Sequence, residues 1–116
     1  MNYENILNEA RTAAAAAVKA AGPENTRAFN CGFAWVTIDG MSGLARWCRT
    51  EKNKLGGNDY SRTGHLGSKG YPRGWQFWNP GDFAGQDVSI KEKGAIAFRD
   101  VLAKHGIVGT VGSRLD

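Results

Sequence analysis

The chain has 116 residues, of which 41% are apolar and 22% are charged, and its formal net charge is +4 at pH 7. This length is enough for one domain with a core of its own, and no apolar run approaches the ~20 residues that a transmembrane helix needs. The two cysteines, Cys31 and Cys48, form no framework, so we expect reduced thiols rather than a disulfide. The N-terminal segment combines acidic residues with alanine and does not resemble a secretory signal.

The positive charge is concentrated in the middle of the chain. Between Arg46 and Arg73 seven basic residues stand against two acidic ones, whereas the rest of the chain has eight basic and nine acidic residues. A local positive field of this kind favours anionic partners, such as nucleic acid, nucleotides or an acidic protein surface. The alternative is a solvated loop whose lysines and arginines serve solubility.

Residues 2–21 have the pattern of a helix. Apolar residues from Leu7 to Ala21 recur at spacings of three and four, alanine is the strongest helix former, and Gly22-Pro23 supplies a stop. We therefore assign residues 1–22 to an N-terminal helix and residues 28–116 to a single α+β domain. Because an alanine face is shallow, this helix can lie close to a sheet or to a partner helix, as a lid or as an oligomer contact.

A strand and a short helix are predicted next. Residues 30–38 alternate between two sets of side chains, rich in aromatic and β-branched types, as is typical of a strand, and Asp39-Gly40 ends it. Ser42 can cap a short helix whose Arg46 and Arg49 point away from its apolar face.

A loop and an aromatic strand follow. Residues 54–70 are basic and rich in glycine, which predicts a loop with a short strand near residues 63–68. Residues 74–79 contain two tryptophans and a phenylalanine and predict a strand, which Pro80-Gly81 breaks.

A helix and a strand are predicted at the end of the chain. A capping box of Ser89 and Glu92 predicts a helix over residues 90–105, and residues 107–112 predict a last strand. This order, after the N-terminal helix, indicates an α+β fold with a small antiparallel sheet in the ferredoxin-like βαββαβ arrangement. In that arrangement the first and third strands lie side by side at the centre of the sheet, and here both are aromatic.

The rings of the two aromatic strands can either stack on a ligand or pack in the core. The Phe33–Trp35 stretch lies beside either Trp75 and Phe77 or Gln76 and Trp78, depending on register. On an open face such rings can stack on bases while nearby cations hold phosphate. The alternative is that the N-terminal helix covers this face and the rings form a second core, since a large exposed aromatic patch is unusual for a monomer.

Residues 73–77 partly resemble the third-strand signature of the RNA-recognition module, which is a basic residue, glycine, an aromatic, a small residue and an aromatic. Gln76, Trp78 and Pro80 depart from that signature, and the matching first-strand signature is absent. The resemblance implies that bases stack on rings of the central strands.

The two histidines are expected to have different roles. His65 lies in the basic loop, where it can act as an acid or base in a hydrolase, whereas His105 suits a structural place at a helix end. The cysteines and histidines lack metal-ligand spacing, and the glycine-rich segment Gly64–Gly70 lacks the order of a phosphate-binding loop motif. We therefore predict a binding protein without a catalytic residue, a metal or a cofactor, with a hydrolase acting through His65 as an alternative.

Ligand-binding residues are predicted where rings and cations lie close together in the chain. The rings would stack on the ligand, and the guanidinium and ammonium groups would hold its anionic part. The predicted set is Arg46, Arg49, Arg62, His65, Lys69, Tyr71, Arg73, Trp75, Phe77 and Trp78.

Three segments resemble a widespread family of small uncharacterised proteins of tailed bacteriophages. They are CGFAWV at 31–36, GWQFWNP at 74–80 together with QDVSIKEKGA at 86–95, and GSRLD at 112–116. The resemblance spans roughly residues 28–116 and brings no activity or site residues with it. It implies a phage accessory protein in the cytoplasm of a bacterial host, and such proteins often act by binding.

The main expectation is therefore a protein that binds an anionic ligand. Single-stranded nucleic acid is the first candidate. The alternatives are an anti-defence protein that sequesters a nucleotide-type signal molecule and an inhibitor that binds a host protein. None of these functions needs a membrane, and each is compatible with homo-oligomers formed through the N-terminal helix.

Overall fold

Three helices, a short 3₁₀ turn and four strands make up the part of the chain that the structure describes. The computed structural model describes residues 2–21, 32–56, 63–70, 73–85 and 87–115. The helices are α1 (Tyr3–Ala20), α2 (Gly43–Lys54) and α3 (Val88–Lys104), the 3₁₀ turn is Gly64–Leu66, and the strands are β1 (Gly32–Ile38), β2 (Ser68–Lys69), β3 (Trp75–Trp78) and β4 (Gly109–Leu115). The predicted α+β class, with a helix first and a small antiparallel sheet, is confirmed.

Polar side chains fix where the helices begin. The Ser42 hydroxyl accepts a hydrogen bond from the Ala45 N–H at 3.2 Å and caps α2, as predicted. The α3 helix begins earlier than predicted, because the Asp87 carboxylate accepts from the Ser89 N–H at 2.9 Å and occupies the N-cap position. The prediction of Ser89 as the cap is therefore wrong by two residues.

The sheet has the strand order β2-β3-β1-β4, and each neighbouring pair is antiparallel. The first and third strands lie side by side at its centre, as expected. Trp35 lies opposite Trp78, and Thr37 lies opposite Gln76. Of the two registers that the sequence allows, the structure thus has the one that places β1 rings beside Gln76 and Trp78.

The core lies between one face of the sheet and the helices. Strand alternation sends Ala34, Val36 and Ile38 of β1 to this face, and the register adds Trp75 and Phe77 of β3. The helices supply further buried apolar side chains, which are Ile6, Leu7, Ala10 and Ala14 of α1, Leu44, Ala45 and Cys48 of α2, and Ala95, Phe98 and Leu102 of α3.

The α1 helix is part of this helix layer and packs against α3. Ala10 and Ala14 are fully buried, and their small side chains allow a close approach. At the crossing, a Cβ added to Gly94 would lie 2.9 Å from Val18 Cγ2, so only glycine fits there. The alternative that α1 covers the aromatic face is therefore wrong, because its alanine face is already buried in the core.

The thiol of Cys48 is free and buried in the core. Burial raises the pKa of this thiol to about 12, so it stays protonated and poorly nucleophilic at neutral pH. This agrees with the reduced state that we predict for it, whereas Cys31 lies outside the described residues.

Candidate functional site

The face of the sheet opposite the core carries a separate set of side chains, which we call the outer face. By strand alternation and pairing its members are Phe33, Trp35 and Thr37 of β1, Ser68 of β2, Gln76 and Trp78 of β3, and Thr110, Gly112 and Arg114 of β4. Phe33 and Trp78 are 38% and 37% exposed. Among these described residues one is basic and none is acidic.

Three aromatic rings of the outer face contact one another. The centroids of Trp35 and Trp78 are 4.7 Å apart with an interplanar angle of 34°. Phe33 meets Trp78 edge-on, with centroids 6.1 Å apart and an angle of 74°. Both geometries lie in the range that aromatic pairs prefer. Because Phe33 and Trp78 keep more than a third of their surface exposed, the cluster offers planar surface to a ligand.

Gly112 determines how Trp35 is seated in this cluster. A Cβ at Gly112 would lie 2.5 Å from the Trp35 Nε1, so a side chain there would displace the indole. Trp35 can therefore lie against the backbone of β4, where it is half-buried. From that position it supports the more exposed ring of Trp78.

Two hydrogen bonds hold the polar side of the outer face. The Trp78 Nε1 donates to the Gln76 Oε1 at 3.1 Å, and the Gln76 Nε2 lies 3.4 Å from the Thr37 Oγ1. The indole N–H of Trp78 is thus satisfied within the protein. Trp78 is 37% exposed, and its one polar atom is already engaged by Gln76.

Two cations lie at the Phe33 end of the outer face. The Arg114 guanidinium carbon is 5.5 Å from the Phe33 ring centroid, and the Lys91 Nζ is 5.3 Å from it. Lys91 is only 7% exposed, and its Nζ donates to the Gly32 carbonyl oxygen at 2.8 Å. Cations at these distances are attracted by the ring, and together they make this end of the face positive.

Two predicted ligand-binding rings lie elsewhere, and the structure corrects their assignment. Trp75 and Phe77 are only 5% and 3% exposed and belong to the core. The Trp75 Nε1 donates to the Leu66 carbonyl oxygen at 2.8 Å, and Phe77 packs on Phe98 with ring centroids 5.0 Å apart. Of the three rings predicted on β3, only Trp78 lies on the outer face.

The predicted cations of the middle segment are also separated from the outer face. Arg46 and Arg49 belong to α2, in the helix layer, and Arg49 lies over Trp75 at 5.5 Å from the ring centroid. Lys69 pairs opposite Trp75 and so points to the same side of the sheet. Arg73 is exposed between β2 and β3. The expectation that these cations surround the stacking rings is therefore not met.

Arg62 and Tyr71, also predicted as ligand-binding residues, lie outside the described residues.

His65 lies in the 3₁₀ turn and lines a cavity that Trp78 also borders. Partial burial, and then the charge of Arg11, lower the pKa of His65 below its usual value of 6.5. In the described ranges no group of three or more His, Cys, Asp or Glu side chains is placed to hold a metal ion.

The sequence-based set of ligand-binding residues omits Phe33, Trp35, Lys91 and Arg114. Phe33 and Trp35 were recognisable as one face of an aromatic strand, but only the register joins that face to Trp78. Arg114 lies opposite Phe33 in β4, and no local pattern indicates this pairing. Lys91 of α3 is 59 residues away from Gly32 of β1 in the chain, so only the tertiary fold brings the two together.

Comparison of the chain with protein-family models, with curated proteins and with solved structures gives no match. Of the helices in the described ranges, none has the length and apolar character needed to cross a membrane.

Proposed function

We propose that the outer face binds single-stranded nucleic acid. In this proposal bases stack on Phe33 and Trp78, and Arg114, which lies exposed beside Phe33, holds the adjacent phosphate group. Base–aromatic stacking tolerates any sequence because every base has a π face, and a neighbouring positive charge follows the backbone. The observation that carries the proposal is the cluster of contacting, partly exposed rings with cations at one end.

The exposure of these rings supports a ligand rather than a structural role. Monomeric proteins usually bury large aromatic side chains, and a patch of them on the surface generally marks a binding site. Here the hydrogen bonds of the outer face orient Trp78 while its ring remains exposed. The same rings with an arginine would also suit a protein interface, but the lack of acidic side chains among the outer-face residues favours a polyanion.

The proposal also covers the fold of the protein and its biological role. We infer a ferredoxin-like βαββαβ arrangement after α1, which the strand order β4-β1-β3-β2 and its antiparallel pairs support. We also infer the role that the sequence resemblance implies, an accessory protein of a tailed phage that acts in the cytoplasm of its host.

The test is a titration with a fluorescently labelled single-stranded oligonucleotide, followed by anisotropy at two salt concentrations. We expect binding that weakens steeply as salt rises, because bound phosphates release counterions. Phe33→Ala and Trp78→Ala should each weaken binding by about 1–3 kcal/mol, or about 5- to 150-fold.

Ile96→Ala serves as the control, because Ile96 is similarly exposed but lies on α3. It should leave the affinity unchanged. The proposal would be rejected if the wild type does not bind the oligonucleotide, or if both ring variants bind it as tightly as the wild type. A host protein that is captured by the wild type but not by Trp78→Ala would favour the inhibitor alternative.

A further inference from the structure

A cavity of about 300 Å³ lies on the core side of the sheet, between α1, the 3₁₀ turn and the loop that follows β3. Its size is at the lower end of the range for small-molecule sites. The lining residues that matter here are Arg11, His65, Phe77, Asn79, Asp82 and Phe98. Trp78 also borders it, whereas Phe33 and Arg114 of the outer face do not.

The floor of the cavity is apolar and its rim is charged. Phe77 and Phe98 line the cavity; they are in contact, with ring centroids 5.0 Å apart, and both are almost fully buried. Arg11 and His65 are exposed at the rim. Since burial and the charge of Arg11 lower the pKa of His65, the imidazole is neutral at pH 7 and Arg11 supplies the positive charge.

The loop after β3 places a carboxylate on the rim in an unusual backbone conformation. Asn79 and Asp82 have φ values of 46° and 54°, a region that side chains other than glycine rarely adopt. The Asp82 N–H donates to the Asn79 carbonyl oxygen at 2.8 Å. The Asn79 side chain donates to the Phe83 carbonyl oxygen at 2.9 Å and accepts from the Phe83 N–H at 3.3 Å.

The same loop is fixed from behind by α1 and α3. A Cβ at Gly81 would lie 2.4 Å from Val18 Cγ2 and 3.3 Å from the Gly94 Cα, so the loop, α1 and α3 meet in a contact that only glycine allows. Because residues on both sides of Gly81 are held, the Asp82 carboxylate is presented by a rigid backbone. Rigid placement lowers the cost of ordering a site around a ligand.

We propose that this cavity binds a small organic anion with a planar ring that carries an N–H donor, which is the chemistry of a nucleoside monophosphate. Arg11 binds the phosphate, because a guanidinium matches phosphate oxygens in a bidentate way. The Asp82 carboxylate accepts a hydrogen bond from an amino or imino group of the base. Phe77 and Phe98 form the apolar floor against which the base lies. Of the outer-face residues only Trp78 borders this cavity, and the proposal does not depend on the function proposed for the outer face.

The test is isothermal titration calorimetry with the four common ribonucleoside monophosphates, their nucleosides and inorganic phosphate. We expect at least one monophosphate to bind with a stoichiometry of one. It should bind about tenfold or more tightly than either its nucleoside or phosphate alone, because each half contributes its own contacts.

Two variants probe the rim. Arg11→Gln should weaken the binding of the monophosphate by about tenfold or more, whereas Arg46→Gln, an exposed arginine on α2 that does not line the cavity, should leave it unchanged. Asp82→Asn keeps a side chain that tolerates a positive φ and removes only the charge. It should reduce the preference for bases that carry an amino group.

Phe33→Ala separates this site from the outer face, since a mononucleotide can also stack on exposed rings. Binding that is lost in Arg11→Gln and kept in Phe33→Ala supports the cavity. Binding that is kept in Arg11→Gln, or no binding by the wild type to any monophosphate, would overturn it. Circular dichroism and thermal melts of each variant establish that the fold is intact.

Discussion

Trp75 and Trp78 are three residues apart on one short strand, yet they lie on opposite faces of the sheet. Trp75 is buried beneath α2, with the Lys52 ammonium 5.8 Å from its ring centroid. Trp78 stands on the outer face beside Trp35. Since successive side chains of a strand point to opposite faces, two similar residues at an odd separation cannot share one role. This parity decides which tryptophan can meet a ligand.

Arg114 is the residue whose charge we expect to matter most for binding by the outer face. Arg114→Gln keeps a long polar side chain and removes the charge beside Phe33. It should weaken the binding of a single-stranded oligonucleotide by about tenfold at low salt. It should also reduce the slope of log K against log salt concentration by about 0.7, the value for one phosphate contact in a single strand.

Arg46→Gln is the matched control for Arg114→Gln, because Arg46 is also exposed but lies on α2. Anisotropy at four or more salt concentrations gives both slopes. An equal loss in the two variants would show that the charge of the middle segment, rather than that of the outer face, attracts the oligonucleotide.

The sequence places the candidate site in the aromatic stretch, but of the three rings on β3 only Trp78 lies on the outer face. The alternation in β1 and β3 is compatible with two registers between these strands, and both registers satisfy the local preferences of a strand. The choice depends on pairings that a single strand does not contain, such as the seating of Trp35 on Gly112 of β4. For the same reason the sequence does not indicate that Arg114 is a neighbour of Phe33.

At the scale of elements, one ionic cluster joins the two longest helices. Glu9 of α1 accepts a hydrogen bond from Lys104 Nζ at 2.9 Å, and its other oxygen lies 3.1 Å from His105 Nε2, at the end of α3. The hydrogen bonds from Lys104 and then His105 lower the pKa of Glu9 below its usual value of 4.5. The Lys104 side chain is exposed and those of Glu9 and His105 are partly exposed, so the cluster makes a modest contribution to stability.

Glu9→Gln should lower the melting temperature at pH 7 by about 1–5 °C. The unfolded carboxyl binds a proton at a higher pH than the folded one, so the stabilisation is complete above pH 4.5 and is lost as pH falls through the lower, folded value. The difference between wild type and variant should therefore shrink as the pH falls below 4.5 and vanish once the folded carboxyl is protonated. Thermal melts by circular dichroism across this range provide the measurement.

Glu4→Gln, on the first turn of the same helix, controls for the general loss of an acidic side chain. A difference between Glu9→Gln and wild type that stays constant as pH falls would mean that the lost contact is not ionic.

The helices were more predictable than their ends and more predictable than the strands. Apolar spacing and alanine content define α1 and α3 along their own lengths. The start of α3 depends on which of two neighbouring polar residues, Asp87 or Ser89, takes the cap, and local sequence permits either. β4 extends to Leu115 because β1 gives it a partner as far as Gly32, and that partner lies some 80 residues away in the chain.

At the scale of the whole molecule, the positive charge is divided between the two sides of the sheet. The cations of α2 and β2 gather around Trp75 on the core side, while Arg114 and Lys91 lie beside Phe33. The net charge of the chain is therefore a poor guide to where an anion binds. Within the described part of the chain, the outer face combines an arginine with contacting, partly exposed rings, and this is where we propose that bases stack.

We expect the protein to prefer single strands to duplexes. Bases in a duplex are already stacked on one another and cannot lie on Phe33 and Trp78 without melting. In competition titrations at one salt concentration, a single strand should displace the labelled oligonucleotide about tenfold more effectively than the duplex of the same sequence. Phe33→Ala should reduce this preference, and equal competition by both forms would contradict a stacking role for the rings.

The contact between Trp35 and Trp78 has an optical consequence. Two indoles 4.7 Å apart and inclined by 34° are close enough for their electronic transitions to couple, and coupled chromophores give a paired signal in circular dichroism. A planar molecule that settles on Trp78 would shift that signal without any attached dye. The protein thus carries its own spectroscopic reporter at the surface where we propose that its ligand binds.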